Sequence, residues 1–311
     1  MAMIIKDTTK EKESFVGKPK KVSWERLWAF SGGPFRLEGW PSKNIHTDLP
    51  FARDCGLPSV AASATQYMGY MAQLMIDLFG VEWLWHGTMD VKFIDIVDAG
   101  DLLVSKAVVK SKEAADGATK FTMDVCCENQ RGAKVLVGFT TGIIGGKASW
   151  RVEDYNNRVA ELRAGSTTQQ AVPGRTELEP LEYVVTPELN QQYLYSEEDF
   201  HLRYIEETEN GPPIVHPALI FNMSNSTRSP SYQVPSGQAG FHSRDETFFC
   251  NPARVGKRFR VTWKLVGSYE KRGRPYSVNE ILITDEDGLE IMRRLSHGTI
   301  ASQEYRKEYR K

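Results

Sequence analysis

The sequence predicts an α+β fold built from two copies of one unit, each an antiparallel sheet wrapped around a single buried helix. Three observations predict it. The first is the stretch from Ala62 to Phe79, apolar on nearly every side. Ala62, Ala64, Tyr67, Met68, Met71, Leu74, Met75, Leu78 and Phe79 recur at helical spacings, and Ser63, Gln66, Gln73 and Asp77, bridged by Tyr70, make the one polar face. Such a helix must be walled in. Gly69 at its middle weakens it in isolation and is explained if another backbone comes close there. The second observation is that four strand-like runs follow Gly80 without another helix. The third is an internal repeat. Phe93 to Gly100, FIDIVDAG, overlies Phe249 to Gly256, FCNPARVG, at an offset of 156 residues, and the same offset carries Thr141-Gly142-Ile143 onto His297-Gly298-Thr299. Upstream, Phe30-Ser31 and Phe35-Arg36-Leu37 overlie Tyr195-Ser196 and Phe200-His201-Leu202 at an offset of 165, and GLPSVAASA faces GPPIVHPA.

In chain order, residues 1–21 are Lys-rich and read as a loose arm. Ser23 caps a short helix, SWERLWAF, and SGGPFRLEGWPSK is a loop. NIHTDLPFARDC then leads into the central helix. The four runs after it are GTMDVKFIDIV, DLLVSKAVVKS, TKFTMDVCCEN and KVLVGFTTGII, parted by turn signals rich in Asp and Gly. These close the first unit, residues 22–145. Val152, Tyr155, Val159 and Leu162 mark an amphipathic helix ended by Gly165, and with the polar run STTQQAVPGRTELEP it forms a connecting segment, 146–180. The second unit, 181–303, has a helix after Pro217 and the runs DETFFCN, KRFRVTWKLVGSYE, PYSVNEILITD and LEIMRRLSHGTIA, before a tail at 304–311.

Composition narrows the class of function. With 311 residues, 41% hydrophobic and 25% charged, the chain is of soluble globular type, and its net charge of −1 argues against nucleic acid or an anionic membrane as partner. Cys55, Cys126, Cys127 and Cys250 lack metal-type spacing and read as reduced thiols. The first residues hold no apolar signal segment and no run is long enough to span a bilayer, so the expectation is a cytoplasmic protein with no bound metal.

The stretch NIHTD, then FARDCGLP, the apolar helix and VKFIDIVDAGD resembles the MaoC-like family of (R)-specific enoyl-CoA hydratases and acyl dehydratases. It covers residues 22–145 well and 181–303 more loosely, through GPPIVHP, FCNPARVGKRFRV and SYEKRGRPYSV. The resemblance implies a double hot-dog fold, in which each sheet wraps a central helix, and an acyl thioester of coenzyme A as substrate with no separate cofactor. His46 matches the family histidine and Asp48 the acid just after it. The family aspartate five residues before the histidine is not matched: Pro41 stands there, or Gly33 if the loop is aligned on Ser31-Gly32.

The loop makes chemical sense without the family. Adding water to an unsaturated thioester, or removing it, needs a base, an acid and donors for the enolate-like oxygen. Histidine is the natural base near neutral pH. The backbone N–H groups of Ser63, Ala64 and Thr65 at the helix start would serve the oxygen. The missing carboxylate is Asp48, Glu38 or absent, and Asp48 has a competing role as cap of LPFARD. Asn44, Gln66, Trp40 and His216 complete the candidate pocket, although His216 before Pro217 also suits a helix cap. Trp28, Trp40, Trp83 and Trp85 suggest a bulky acyl group. The turn Lys271-Arg272-Gly273-Arg274 would suit a coenzyme A phosphate, or is simply solvated. The expected protein is thus a hydratase or dehydratase, assembled as a homodimer, with one site per chain in the first half. A non-catalytic acyl-CoA-binding subunit is the alternative. A thioesterase is a third option, lacking a carboxylate in the first turns of the central helix.

Overall fold

A computed structural model of the chain describes residues 4–33, 43–115, 117–146, 150, 152–166, 177–209, 211–233 and 239–301. The first half runs β1 (Ser14–Val16), β2 (Lys20–Lys21), α1 (Trp24–Ser31), α2 (Leu49–Asp54), α3 (Ala64–Phe79), α4 (Trp83–His86), β3 (Thr88–Phe93), β4 (Leu102–Ala115), β5 (Ala118–Asn129) and β6 (Lys134–Ile144). After α5 (Val152–Ala164) come β7 (Glu177–Val184), α6 (Pro187–Glu197), α7 (Pro217–Met223), β8 (Ala239–Phe249), β9 (Arg258–Lys271), β10 (Arg274–Asp285) and β11 (Glu290–Ala301). Among the described residues these strands form one antiparallel sheet in the order β1-β4-β5-β6-β3-β8-β11-β10-β9-β7, with β2 also on β4. Each half is a sheet around a helix, the hot-dog arrangement.

The repeat is visible strand by strand. β4, β5 and β6 start 156 residues before β9, β10 and β11, and the last residue of α1, Ser31, falls 165 residues before Ser196, one residue short of the end of α6. The halves meet where β3 pairs with β8, Thr88 opposite Phe248 through Lys92 opposite Arg244. That pairing removes two open strand edges, one from each half. Both central helices lie on the same side and touch. A methyl group placed on Gly69 of α3 would stand 2.5 Å from Cβ of Ala218 on α7 and 2.5 Å from Oε2 of Glu197 on α6. Gly69 is therefore required, but by side chains and not by the backbone the sequence suggested. Nearly all of α3 is buried, including Met68, Met71, Ala72 and Met75.

Five features depart from the sequence reading. A short helix, α4, stands between Gly80 and β3, where the sequence suggested no further helix. The N-terminal stretch is no loose arm: β1 and β2 extend the outer edge along β4, and Ile5 is buried. α6 was missed, although Thr186-Pro187 is a cap and first-turn pair and the offset of 165 carries the end of α1 to within one residue of its end. The end of the polar connecting run, Glu177 to Pro180, belongs to β7. Trp83 is core: it is 4.3 Å from the Phe249 ring and its indole donates to the Thr141 carbonyl. As expected, α5 is amphipathic. Its Tyr155 and Val159 cover Val266, Val278 and Leu295. No described helix is long and apolar enough to cross a membrane.

Candidate functional site

The loop ahead of α3 is built around Asn44. Its carbonyl oxygen accepts the His46 backbone N–H at 2.9 Å, and its amide donates to the Ser31 carbonyl at 3.1 Å, pinning the turn to the end of α1. Asn44 thus presents His46 and does not line a pocket itself. The His46 Nδ1–H donates to the Ala61 carbonyl at 2.7 Å, which fixes the tautomer and leaves Nε2 with a free lone pair. Burial, reinforced by the nearby cation of Arg228 and partly offset by the Ala61 carbonyl, lowers the His46 pKa to about 4. The imidazole is neutral across the physiological range, as a base must be. No carboxylate among the described residues contributes to that shift.

His46 borders a cavity of about 1050 Å³ together with Ala62, Ser63 and Ala64 at the start of α3. Ser63 is the N-cap residue but makes no side-chain cap, and its hydroxyl lies 2.9 Å from that of Thr65. Thr65 in turn accepts from Asn225, beyond α7, at 3.3 Å. First-turn N–H groups of an α-helix have no intrahelical acceptor and carry the positive end of its dipole. Asn225, Ser226 and Thr227 complete this end of the cavity. The same cavity is also bordered by Lys271, Arg272 and Arg274. Arg272 and Gly273 both have positive φ, the two-residue hairpin turn that brings these three cations to one tip.

Other candidates are placed elsewhere. Asp48 caps α2, its carboxylate accepting the Phe51 N–H at 2.8 Å, and does not border the cavity. Its short side chain is committed to the helix end. Gln66 points between α3 and α6, donating to Tyr70 and to the Ser196 carbonyl, so it is core and not pocket. His216 is fully buried. Its Nδ1 accepts the Ala218 N–H as the cap of α7, its Nε2 is 3.5 Å from Asp199, and its ring lies against Tyr204. Trp28 and Trp85 are absent from the cavity wall, and Trp40 and Glu38 lie outside the described residues.

In the second half, the position of Gly32 is taken by a buried acid. Glu197, which the repeat equates with Gly32, fills the space beside Gly69 with both carboxylate oxygens unpartnered. Burial raises its pKa well above the ordinary carboxylate range, since Lys20 spends its ammonium group on the carbonyls of Glu197 and Glu198. Residues that sequence reading passed over, Tyr232, His242 and Ser296, also border the first-half cavity. The offset of 156 sets His242 on His86 and would have drawn attention to it.

Two helix-in-sheet units joined through one strand pair make this chain a double hot-dog protein. Its solved likenesses share that architecture and are largely MaoC-like dehydratases. A putative MaoC domain protein dehydratase from Chloroflexus aurantiacus superposes with a TM-score of 0.66 at 12% identity, over 94% of this chain and 95% of that one. A conserved hypothetical protein from Mycobacterium tuberculosis, described as having a double hotdog fold, gives a TM-score of 0.60 at 12% identity over 95% and 98%. The full-length peroxisomal multifunctional enzyme type 2 of Drosophila melanogaster gives 0.56 at 14% identity, over 91% of this chain and 48% of that one. At such identities the likeness establishes the fold. No protein-family model and no curated protein matches the sequence.

Proposed function

We propose that the protein is a hydro-lyase that adds water to, or removes it from, the acyl chain of a coenzyme A thioester, with His46 as the base. The observation that carries this reading is the Nε2 lone pair of His46, fixed by the Ala61 carbonyl and set in a cavity that also holds the start of α3. In the hydration direction His46 takes a proton from water, the oxygen adds to C3, and the electrons of the double bond move toward the thioester oxygen. The first-turn N–H group of Ala64 faces that developing charge, whereas Thr65 is fully buried and does not border the cavity. The hairpin Lys271 to Arg274 supplies cations for the nucleotide phosphates. A homodimer in the cytoplasm belongs to the same proposal, and light scattering on the purified chain tests the assembly.

A second reading, a subunit that binds acyl-CoA without turning it over, is favoured by one observation: among the described residues no carboxylate bears on His46, and Asp48 is spent as a cap. A panel of enoyl- and 3-hydroxyacyl-CoA thioesters separates the two. Turnover that His46→Ala lowers by about a hundredfold to ten-thousandfold supports the hydro-lyase. Binding without turnover across the panel selects the subunit.

A further inference from the structure

The hydro-lyase reading leaves one proton without a carrier, and β8 of the second half offers one. Along that strand Asp245, Thr247 and Phe249 turn inward and are buried. Regular alternation would put Ser243 with them and send His242 to the other face. β8 and β11 do not keep that register: His297 lies opposite Arg244 and Gly298 opposite His242, so Ser243 is the extra residue of a bulge. The bulge turns His242 inward. Its ring lies 4.6 Å from that of Phe93, which lies 5.6 Å from Tyr67, one turn into α3 from Ala64. His242, Phe93, Tyr67 and His46 border the same cavity.

His242 is also held as an acid/base group is held. Its Nε2 is 2.9 Å from Oδ2 of Asp245 and 3.0 Å from the Ser296 hydroxyl. Asp245 is fully buried, and Arg294 clamps it at 3.1 and 2.6 Å, keeping its pKa below the ordinary carboxylate range despite burial. With Nε2–H donated to that carboxylate, Nδ1 is the nitrogen left for the cavity. We infer that His242, oriented by Asp245, is the second acid/base group of the first-half site, so that the site is completed across the two halves of the chain. The inference rests on the hydro-lyase reading. In hydration the O–H bond of water breaks toward His46 Nε2, the C3–O bond forms, and the resulting enolate takes its C2 proton from Nδ1 of His242. Dehydration reverses each transfer. After either direction the two rings are restored through solvent.

The groups facing the two rings divide the roles. Burial, with Arg294 and His297 on β11, lowers the pKa of His242 from the ordinary histidine value, while the Asp245 carboxylate works against that; Phe93 is neutral. His46 has a cation, Arg228, as its charged neighbour instead. The ring that rests on a carboxylate is the one assigned the proton to be donated.

The test compares His242→Gln and His242→Ala in the full chain on a thioester that the native protein turns over. Both variants should keep the melting temperature and the affinity for a saturated acyl-CoA while kcat falls about a hundredfold or more. The alkaline limb of the kcat/KM profile, where His242 loses its proton and which its lowered pKa puts below the ordinary histidine value, should vanish with the acid limb unmoved, and added imidazole should restore part of the turnover of His242→Ala. Turnover within threefold of native, or an alkaline limb that stays, overturns the inference while leaving the hydro-lyase reading intact. A native protein that turns over no thioester overturns both.

Discussion

Asp90 on β3 lies directly opposite Glu246 on β8 across the join of the two halves, and Glu246 is also the residue 156 positions after Asp90. A residue that pairs with its own counterpart marks the approximate two-fold axis of the molecule. Two carboxylates so placed repel. Arg244 grips Asp90 at 2.7 and 2.6 Å, and Arg158 of α5 grips Glu246 at 2.9 and 3.0 Å. The join is held by one cation from β8 and one from the connecting helix α5.

Removing one of them should loosen the join. Arg244→Ala is expected to cost about 1–2 kcal/mol of unfolding free energy, discounted for the partial exposure of Asp90, and Asp90→Asn in the same chain should recover part of that. Denaturant titrations of the two single variants and the double variant measure the coupling. Additive losses would show that the pair contributes nothing.

Gly69→Ala tests how closely the central helices meet. Alanine is the better helix former by about 1 kcal/mol in an open helix, but here its methyl group has no space beside Ala218 and Glu197. A net loss of about 1–3 kcal/mol is expected. A stabilised variant would mean that α3 and α7 stand further apart.

Glu197 should make stability depend on pH in a known direction. Its folded-state pKa is raised, so the folded chain keeps a proton that the unfolded chain releases above pH 4.5 or so. Stability from this group is therefore fully present below that pH and falls as pH rises. Glu197→Gln removes the dependence and should gain more over the native protein at pH 8 than at pH 4.5. Unfolding curves at both values check it, and an equal change at each would contradict a protonated Glu197.

His46 and Asp48 should separate cleanly. With the His46 pKa at about 4, the acid limb of kcat/KM should lie near pH 4 and not near the ordinary histidine value of 6.5, because activity is lost only when Nε2 takes a proton. Asp48→Ala should leave turnover within a few-fold while costing about 1 kcal/mol of stability through the lost cap. An acid limb between pH 6 and 7, or a hundredfold loss of turnover in Asp48→Ala, would reverse these assignments.

The basic hairpin should sense phosphate. Replacing Lys271, Arg272 and Arg274 by Glu is expected to raise KM for a coenzyme A thioester by roughly tenfold at low salt and to leave KM for the matching pantetheine thioester unchanged. Equal effects on both substrates would remove the hairpin from the binding site.

By itself the sequence determined the repeating architecture. Apolar spacing over Ala62 to Phe79 demands a wrapped helix, and the offset of 156 residues survives as identical starting points for three pairs of strands. Both are local or periodic signals that composition carries along the chain. It also singled out His46, because a loop histidine ahead of a helix start can be read in one short stretch. What only the tertiary structure decided is which side chains share a space. Asp48 and Gln66 have the right chemistry, but a helix cap and an interface between α3 and α6 claim them. His242 lies 196 residues from His46 and reaches the same cavity through a joined strand edge and a one-residue bulge, neither of which has a periodic trace in the sequence. A bulge reverses which face a strand residue occupies, so whether His242 points into the cavity was settled by the hydrogen-bond register of β8 against β11.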